Sequence, residues 1–332
     1  MHKRILTLLL AVFVLLPFMA REARADYPHD RPLTIIVPFG PGGAVDIASR
    51  ILAEYFQKEF NITINVVNKP GGAQAIGIND MLRARPDGYT LAFPGFSALC
   101  TTPILTNVGY TAKDIKPVAQ ITVMELVFST HKAEGPHSFA AFLEKSAKEP
   151  DSTVYGSTGA ITTQRLYLTK LLQRFHEGQK VRHAAYGSGH EVSTALLGKH
   201  ITAGFQVPTN ILPYVASGDI EPLAITRKER HPQLPDTPTF RELYADRLNA
   251  DDERWIDLGS WHGLVASAKV PDERIQALQP YLQKALSDPG VIESFQKIGL
   301  SVDYLPPAKF AEVIDASIVL VNDVLEGRKS LD

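Results

Sequence analysis

The chain of 332 residues is long enough for two ordinary domains. Hydrophobic residues make up 45% and charged residues 21%, a balance that excludes a mainly disordered, fibrous or coiled-coil protein. The formal net charge is −2, and removing Lys3, Arg4, Arg21 and Arg24 together with Glu22 takes it to about −5; a surface of that sign argues against nucleic acid or anionic membrane as the main partner.

In chain order, the first segment reads as an export signal. His2-Lys3-Arg4 is a positive start, Ile5 to Leu16 is an apolar run, and Ala23-Arg24-Ala25 places small residues two apart before Asp26. A membrane-spanning helix is the alternative, but the run is shorter than the roughly 20 residues a bilayer core requires, and Pro17 and Arg21 interrupt it. Residues 1–25 are therefore predicted to be a signal peptide cleaved near Ala25. Export argues against NAD or ATP chemistry, and no cofactor is expected. Cys100 is the sole cysteine, so no intrachain disulfide can form. It reads as a small buried hydrophobe rather than a nucleophile.

Leu33 to Phe39 is a β-branched run ending in Gly40-Pro41-Gly42-Gly43, after which Ala44 to Phe60 carries apolar residues at helical spacing. The unit then repeats. Ile62 to Val67 reads as a strand, Lys69 to Gly72 as a second glycine-rich loop, Gln74 to Arg83 as a helix and Tyr89 to Phe93 as a strand. A second cycle begins with a strand at Leu126 to Thr130, a helix at Ser138 to Lys148 and a strand at Thr153 to Gly156. A Gly/Ser/Thr loop through Thr163 leads to a helix at Gln164 to Phe175. Tyr186 to Gly189 precedes a helix at Glu191 to Leu197, and Ile201 to Phe205 and Pro222 to Ile225 supply further strands. Arg230 to Thr239 is rich in turn formers and is expected to be irregular. Helices around Ile275 to Leu286 and at Pro307 to Leu325 close the chain. The alternation predicts an α/β fold with a mostly parallel sheet, and right-handed crossovers put the first two glycine-rich loops at one carboxyl edge.

A glycine-rich loop between a strand and a helix presents backbone N–H groups where peptide dipoles favour an anion, although the same residues also make an ordinary tight turn. Three such loops are read here: Gly40 to Gly43, Gly71 to Ala73 and Gly156 to Gly159. No Gly-Lys-Ser/Thr follows any of them, and the first lacks Gly-x-Gly-x-x-Gly, so neither a P-loop nor a dinucleotide fingerprint is present. Hydrogen bonds to a charged group contribute about 1.5 to 3 kcal/mol each. Micromolar affinity corresponds to about 8 kcal/mol, so four or five donors suffice without a paired cation. Thr158, Thr162 and Thr163 are candidate donors, with helix capping as their structural alternative. Tyr186 is a candidate donor or aromatic wall and Arg165 a candidate partner for a second carboxylate. Asp46 reads as structural, because a carboxylate beside an anionic ligand repels it. Ser157 or Ser188 as nucleophile with His183 or His190 as base defines a hydrolase alternative, for which no Gly-x-Ser-x-Gly elbow is present. His262, His183 and His190 lack metal-ligand spacing, and no metal is expected.

The stretch YPHDRPLTIIVPFGPGGAVDIASRILAEYF resembles the solute receptors of tripartite tricarboxylate transporters, also called the Bug family. NKPGGAQAIG, PDGYTLAF, GDIEPLAITRKERHPQLPDTPTFREL and Trp261-His262-Gly263-Leu264 extend the resemblance over nearly the whole mature chain. It implies a periplasmic binding protein type II fold with a small carboxylate held between two lobes. In the division it implies, residues 26–125 and 253–332 form lobe 1 and residues 126–252 lobe 2. The expected ligand contacts are Phe39, Gly42, Gly43, Gly72, Ala73, Gln74 and Ser97 from lobe 1, and Ser157, Thr158, Thr162, Thr163, Arg165 and Tyr186 from lobe 2. Ile161 and Arg165 stand where the family usually has Gly and His, and Ala184-Ala185-Tyr186-Gly187-Ser188 replaces Val-Pro-Tyr-Lys/Arg-Gly. Those departures leave ligand identity open among dicarboxylates, tricarboxylates and aromatic acids, with Arg165 favouring two anionic ends. The implied partner is a membrane permease of the tripartite tricarboxylate type, served by a monomeric, non-enzymatic periplasmic receptor. A sensor kinase as the downstream partner is the alternative.

Overall fold

The computed structural model describes residues 27–159 and 162–326; the expected signal peptide lies outside them. Eleven strands form two sheets among these residues. The first contains β1 (Leu33–Val37), β2 (Ile64–Asn68), β3 (Thr90–Ala92), β4 (Ile115–Met124), β10 (Ser260–Ser267) and β11 (Ser301–Leu305), in the order β11-β4-β10-β3-β1-β2. The second contains β5 (Val127–His131), β6 (Val154–Thr158), β7 (Arg182–Tyr186), β8 (Ala203–Gln206) and β9 (Ile220–Ile225), in the order β7-β6-β8-β5-β9.

The expectation of a mostly parallel sheet is corrected. β1 pairs in parallel with β2 and β3, and β6 with β7 and β8, but β10, β11 and β5 pair antiparallel with their neighbours. The missed strands explain the difference. No strand is read over Ile115–Met124, although Lys116, Gln120 and Thr122 alternate with Ile115, Ala119, Ile121 and Val123; Pro117 is the one residue at odds with a central strand. The fold accommodates Pro117 beside a shift of register between Leu264 and Val265 of β10, where the ladder is already irregular.

Local sequence accounts for the elements that carry the site. β1 is a nearly continuous apolar run because helices cover both faces of the sheet around it. The helix Ala44–Phe60 buries Val45, Ala48, Leu52 and Phe56 on one stripe. Each large apolar side chain so buried contributes about 1.5 to 3 kcal/mol. Asn61 ends the helix in the left-handed region at φ 54°, where its N–H reaches the Gln57 and Phe56 carbonyls.

Strand direction decides where the two sheets meet. β4 runs parallel to β1 and β3, because both β3 and β4 pair antiparallel with β10. Its carboxyl end therefore lies on the same edge as the loops after β1, β2 and β3. The chain leaves that edge at Met124 and enters β5 at Val127, which pairs with Gln206 at the carboxyl end of β8. The carboxyl edges of both parallel sets thus face each other across the crossing. The return segment arrives at Ser260 opposite Met124. The two crossings lie against one another, since a Cβ on Gly259 would sit 2.4 Å from the Met124 carbonyl oxygen. Glu125 in the first crossing is buried and bonded to Arg227 at 2.8 Å. One hydrophobic cluster runs from Phe96, Trp261 and Phe310 beside the first sheet to Phe128, Tyr167 and Phe205 beside the second.

Candidate ligand-binding site

The first loop is organised by a carboxylate. Asp46 is 2% exposed; its Oδ2 accepts the Gly42 N–H at 2.8 Å and its Oδ1 accepts Asn68 Nδ2 at 3.0 Å. Arg50 completes the cluster at 2.9 Å. Burial pushes this carboxyl up, but the bonds from Arg50, Gly42 and Asn68 outweigh it and hold it below the usual range. The Gly42 N–H, one of the donors expected near a ligand, is thereby engaged inside the protein. Gly42 itself sits at φ +80°, where glycine is favoured. Gly43 opens the helix Ala44–Phe60 with no side chain capping it, and first-turn N–H groups have no partner within a helix.

The second loop is bent more sharply. Gly71, Gly72, Ala73 and Gln74 are four successive residues at φ 115°, 57°, 48° and 76°. Ala73 and Gln74 carry Cβ atoms in the left-handed region, which costs about 1–2 kcal/mol each, and such strain gathers at ligand clamps. Side chains hold it in place. Gln74 Nε2 donates to Ser97 Oγ at 2.6 Å, Gln74 Oε1 accepts the Gly95 N–H at 2.9 Å, and Thr102 Oγ1 donates to the Ala73 carbonyl at 3.2 Å. Gln74 is accordingly a brace between the loops after β2 and β3, and the helix begins at Ala75 rather than at Gln74. The exposed Gly72 and Ala73 and the half-buried Phe39 and Ser97 share this edge with Gly43.

In the second sheet Gly156 lies inside β6, not in a loop, and its missing Cβ leaves room for Tyr186 and Ile201. The loop starts at Gly159, at φ +73°, whose N–H bonds the Tyr186 carbonyl at 2.8 Å. Thr158 pairs with Tyr186 across β6 and β7 and receives Gln164 Nε2 at 3.1 Å. Thr162 is the N-cap of the helix Thr163–Phe175 but makes no side-chain cap, and its hydroxyl is hidden from solvent without a partner among the described residues. Thr163 is buried, and Arg165 is half-buried on the first turn, close enough to act on the Tyr155 phenol. Ser157 is fully buried, with Oγ 2.8 Å from His183 Nε2. Ser188 caps the helix Gly189–Leu197 by accepting the Glu191 N–H.

His262 and Asn68 are the residues at this edge that sequence reasoning did not place there. Their signal, polar side chains on otherwise apolar strands, does not separate a loop anchor from a packed residue. A separate groove of about 1360 Å³ lies at the crossings, lined by Gln120, Glu125, Arg227 and Asp303 among others. It contains none of the expected contacts, and seven carboxylates in its wall face four lysine or arginine side chains. That balance disfavours an anionic ligand.

The sequence matches the family described as tripartite tricarboxylate transporter family receptor over residues 48–325. A UPF0065 protein of Agrobacterium vitis is 28% identical over 96% of this chain and 89% of its own length. A TctC solute binding protein from Polaromonas, solved without ligand, superposes with a TM-score of 0.78 at 24% identity, covering 90% of this chain and 99% of that one. MatC of Rhodopseudomonas palustris, solved with bound malate, gives 0.67 at 21% identity over 89% and 99%. With a match spanning most of its length and the two-sheet architecture described above, the chain belongs to the tripartite tricarboxylate transporter receptor family.

Proposed function

We propose that this protein is an exported periplasmic receptor that closes on a small organic dicarboxylate and hands it to a membrane permease of the tripartite tricarboxylate type. No chemical step is involved. The observation that carries this reading is the juxtaposition of facing carboxyl edges with helix N-termini left uncapped by side chains, at Gly43 and Gln74 on one sheet and Thr162 on the other. Backbone N–H groups and hydroxyls gathered there suit an acid's oxygens. The hidden Thr162 hydroxyl and the strained Gly71–Gln74 loop support it further. MatC, of the same fold, binds malate; Arg165 near the second edge suits a second carboxylate. The Ser157–His183 contact does not favour hydrolysis, because Ser157 is fully buried in β6 rather than raised on a strand-to-helix elbow.

A thermal-shift panel of mono-, di- and tricarboxylates tests the reading. A ligand bound only by the folded receptor stabilises it by about 2.7 kcal/mol at a hundredfold excess over Kd. Arg165→Ala is expected to weaken dicarboxylates about tenfold and monocarboxylates less than threefold. Equal losses remove the selectivity role of Arg165, and no response to any acid overturns the receptor reading.

A further inference from the structure

We propose that His262 is the positioning residue of the first-lobe loops: without touching ligand, its ring sets the spacing of Phe39, Gly95 and Gln74, and thereby the affinity for a carboxylate. The inference rests on the receptor reading above and names the group that tunes the same site. His262 lies on β10 and is 7% exposed. Its Nδ1 is 3.2 Å from the buried Thr122 hydroxyl of β4, which fixes the ring from below. The ring meets Phe39 of the first loop edge-on at 5.9 Å, and Phe93 at the end of β3 at 6.4 Å.

The opposite edge of the imidazole presses on Gly95. A Cβ there would lie 2.9 Å from His262 Cδ2 and 3.1 Å from Nε2, and Gly95 forms an isolated β-bridge with His262. Gly95 then gives its N–H to Gln74 Oε1, and the Gln74 amide bonds Ser97. One buried ring therefore contacts the loops after β1 and β3 directly and the strained loop after β2 through one hydrogen bond. Asn68 Nδ2 to the Phe39 carbonyl and Thr102 Oγ1 to the Ala73 carbonyl, both at 3.2 Å, also link these loops in pairs, and the ring joins that set at the edge where the expected contacts gather. A displaced ring lets the Gly71–Gln74 loop relax from its left-handed backbone, separating donors that must converge on two carboxylate oxygens.

The experiment uses the mature chain with malate and adipate as probes. His262→Ala is expected to raise Kd at least tenfold, and His262→Gln, which keeps a polar group opposite Thr122, to recover most of the loss. In ligand-free protein the Gly95 amide is expected to exchange with solvent at least tenfold faster in His262→Ala than in wild type. Thr122→Val, which leaves the ring but removes its anchor, carries the same tests with a smaller effect if the two histidine variants do not fold. A lowered melting temperature with Kd within twofold of wild type and unchanged Gly95 exchange overturns the proposal, because a merely structural role predicts that pattern. If wild-type protein binds neither malate nor adipate, the acid that gives the largest thermal shift in the panel above takes their place; if no acid of that panel binds, the receptor reading fails, and Gly95 exchange alone decides whether His262 holds the loops.

Discussion

At Gly43 a methyl group would meet only the Gly40 carbonyl oxygen, at 3.5 Å, and φ is −74°, so the fold itself does not require glycine there. Gly43→Ala is expected to keep stability within about 0.5 kcal/mol while weakening carboxylate binding about tenfold; urea melts and calorimetric titration together check this, and unchanged affinity would show that ligand does not approach this helix end. His262 behaves in the opposite way, as a group whose surroundings decide its chemistry. Burial holds its imidazole at about 4, below the usual 6.5. Between those values the unfolded chain binds the extra proton, so the contribution of a neutral His262 is complete above pH 6.5 and is lost as pH falls toward 4. The full difference corresponds to about 3 kcal/mol. Urea midpoints at pH 7.5 and 4.5 are expected to differ more in wild type than in His262→Gln; equal differences would remove His262 from the acid response.

At the scale of elements, β10 shows why Trp, His and Gly stand side by side. Trp261 is 1% exposed, donates Nε1–H to Ser317 Oγ at 3.0 Å and packs edge-on against Phe310 at 5.0 Å. Gly263 leaves the room that Phe310 occupies, because a Cβ there would lie 2.3 Å from the phenyl Cζ and 2.7 Å from the Ala119 carbonyl oxygen. Gly263→Ala is therefore expected to destabilise by about 1–3 kcal/mol. Phe310→Leu in the same chain is expected to return part of that loss, and additive effects in urea would show that the two positions do not share space. The helices were legible because their apolar residues recur every three or four positions, as in Ala44–Phe60 and Pro307–Leu325. β4 and β11 were not, although polar residues alternate with apolar ones in both, because Pro117 is at odds with a central strand and β11 is a segment of only five residues. Their pairing comes from β10 lying beside β4, a contact between segments 140 residues apart in the Thr122–His262 pair.

For the whole molecule the deciding feature is a shared core. Phe128, Phe142 and Phe205 beside the second sheet belong to one cluster with Phe96, Trp261 and Phe310 beside the first. The helix Pro307–Leu325 extends this link by pairing Asp323 with Lys170 of the helix Thr163–Phe175 at 2.7 Å. A contiguous core of this kind predicts one cooperative thermal transition, with calorimetric and van't Hoff enthalpies in agreement. Two resolved transitions in a calorimetric scan would show that the sheets unfold independently.

The glycine-rich loops, the helices that follow them and the family motifs were written in local order, because turn chemistry and helical periodicity depend on residues within a few positions of one another. Which donors remain open was settled only by packing. The Gly42 N–H goes to Asp46, the Gln74 amide to Gly95 and Ser97, and the Thr162 hydroxyl to no group among the described residues. Those outcomes hinge on side chains brought together from distant strands, and a single chain read in order carries no record of which partner arrives first.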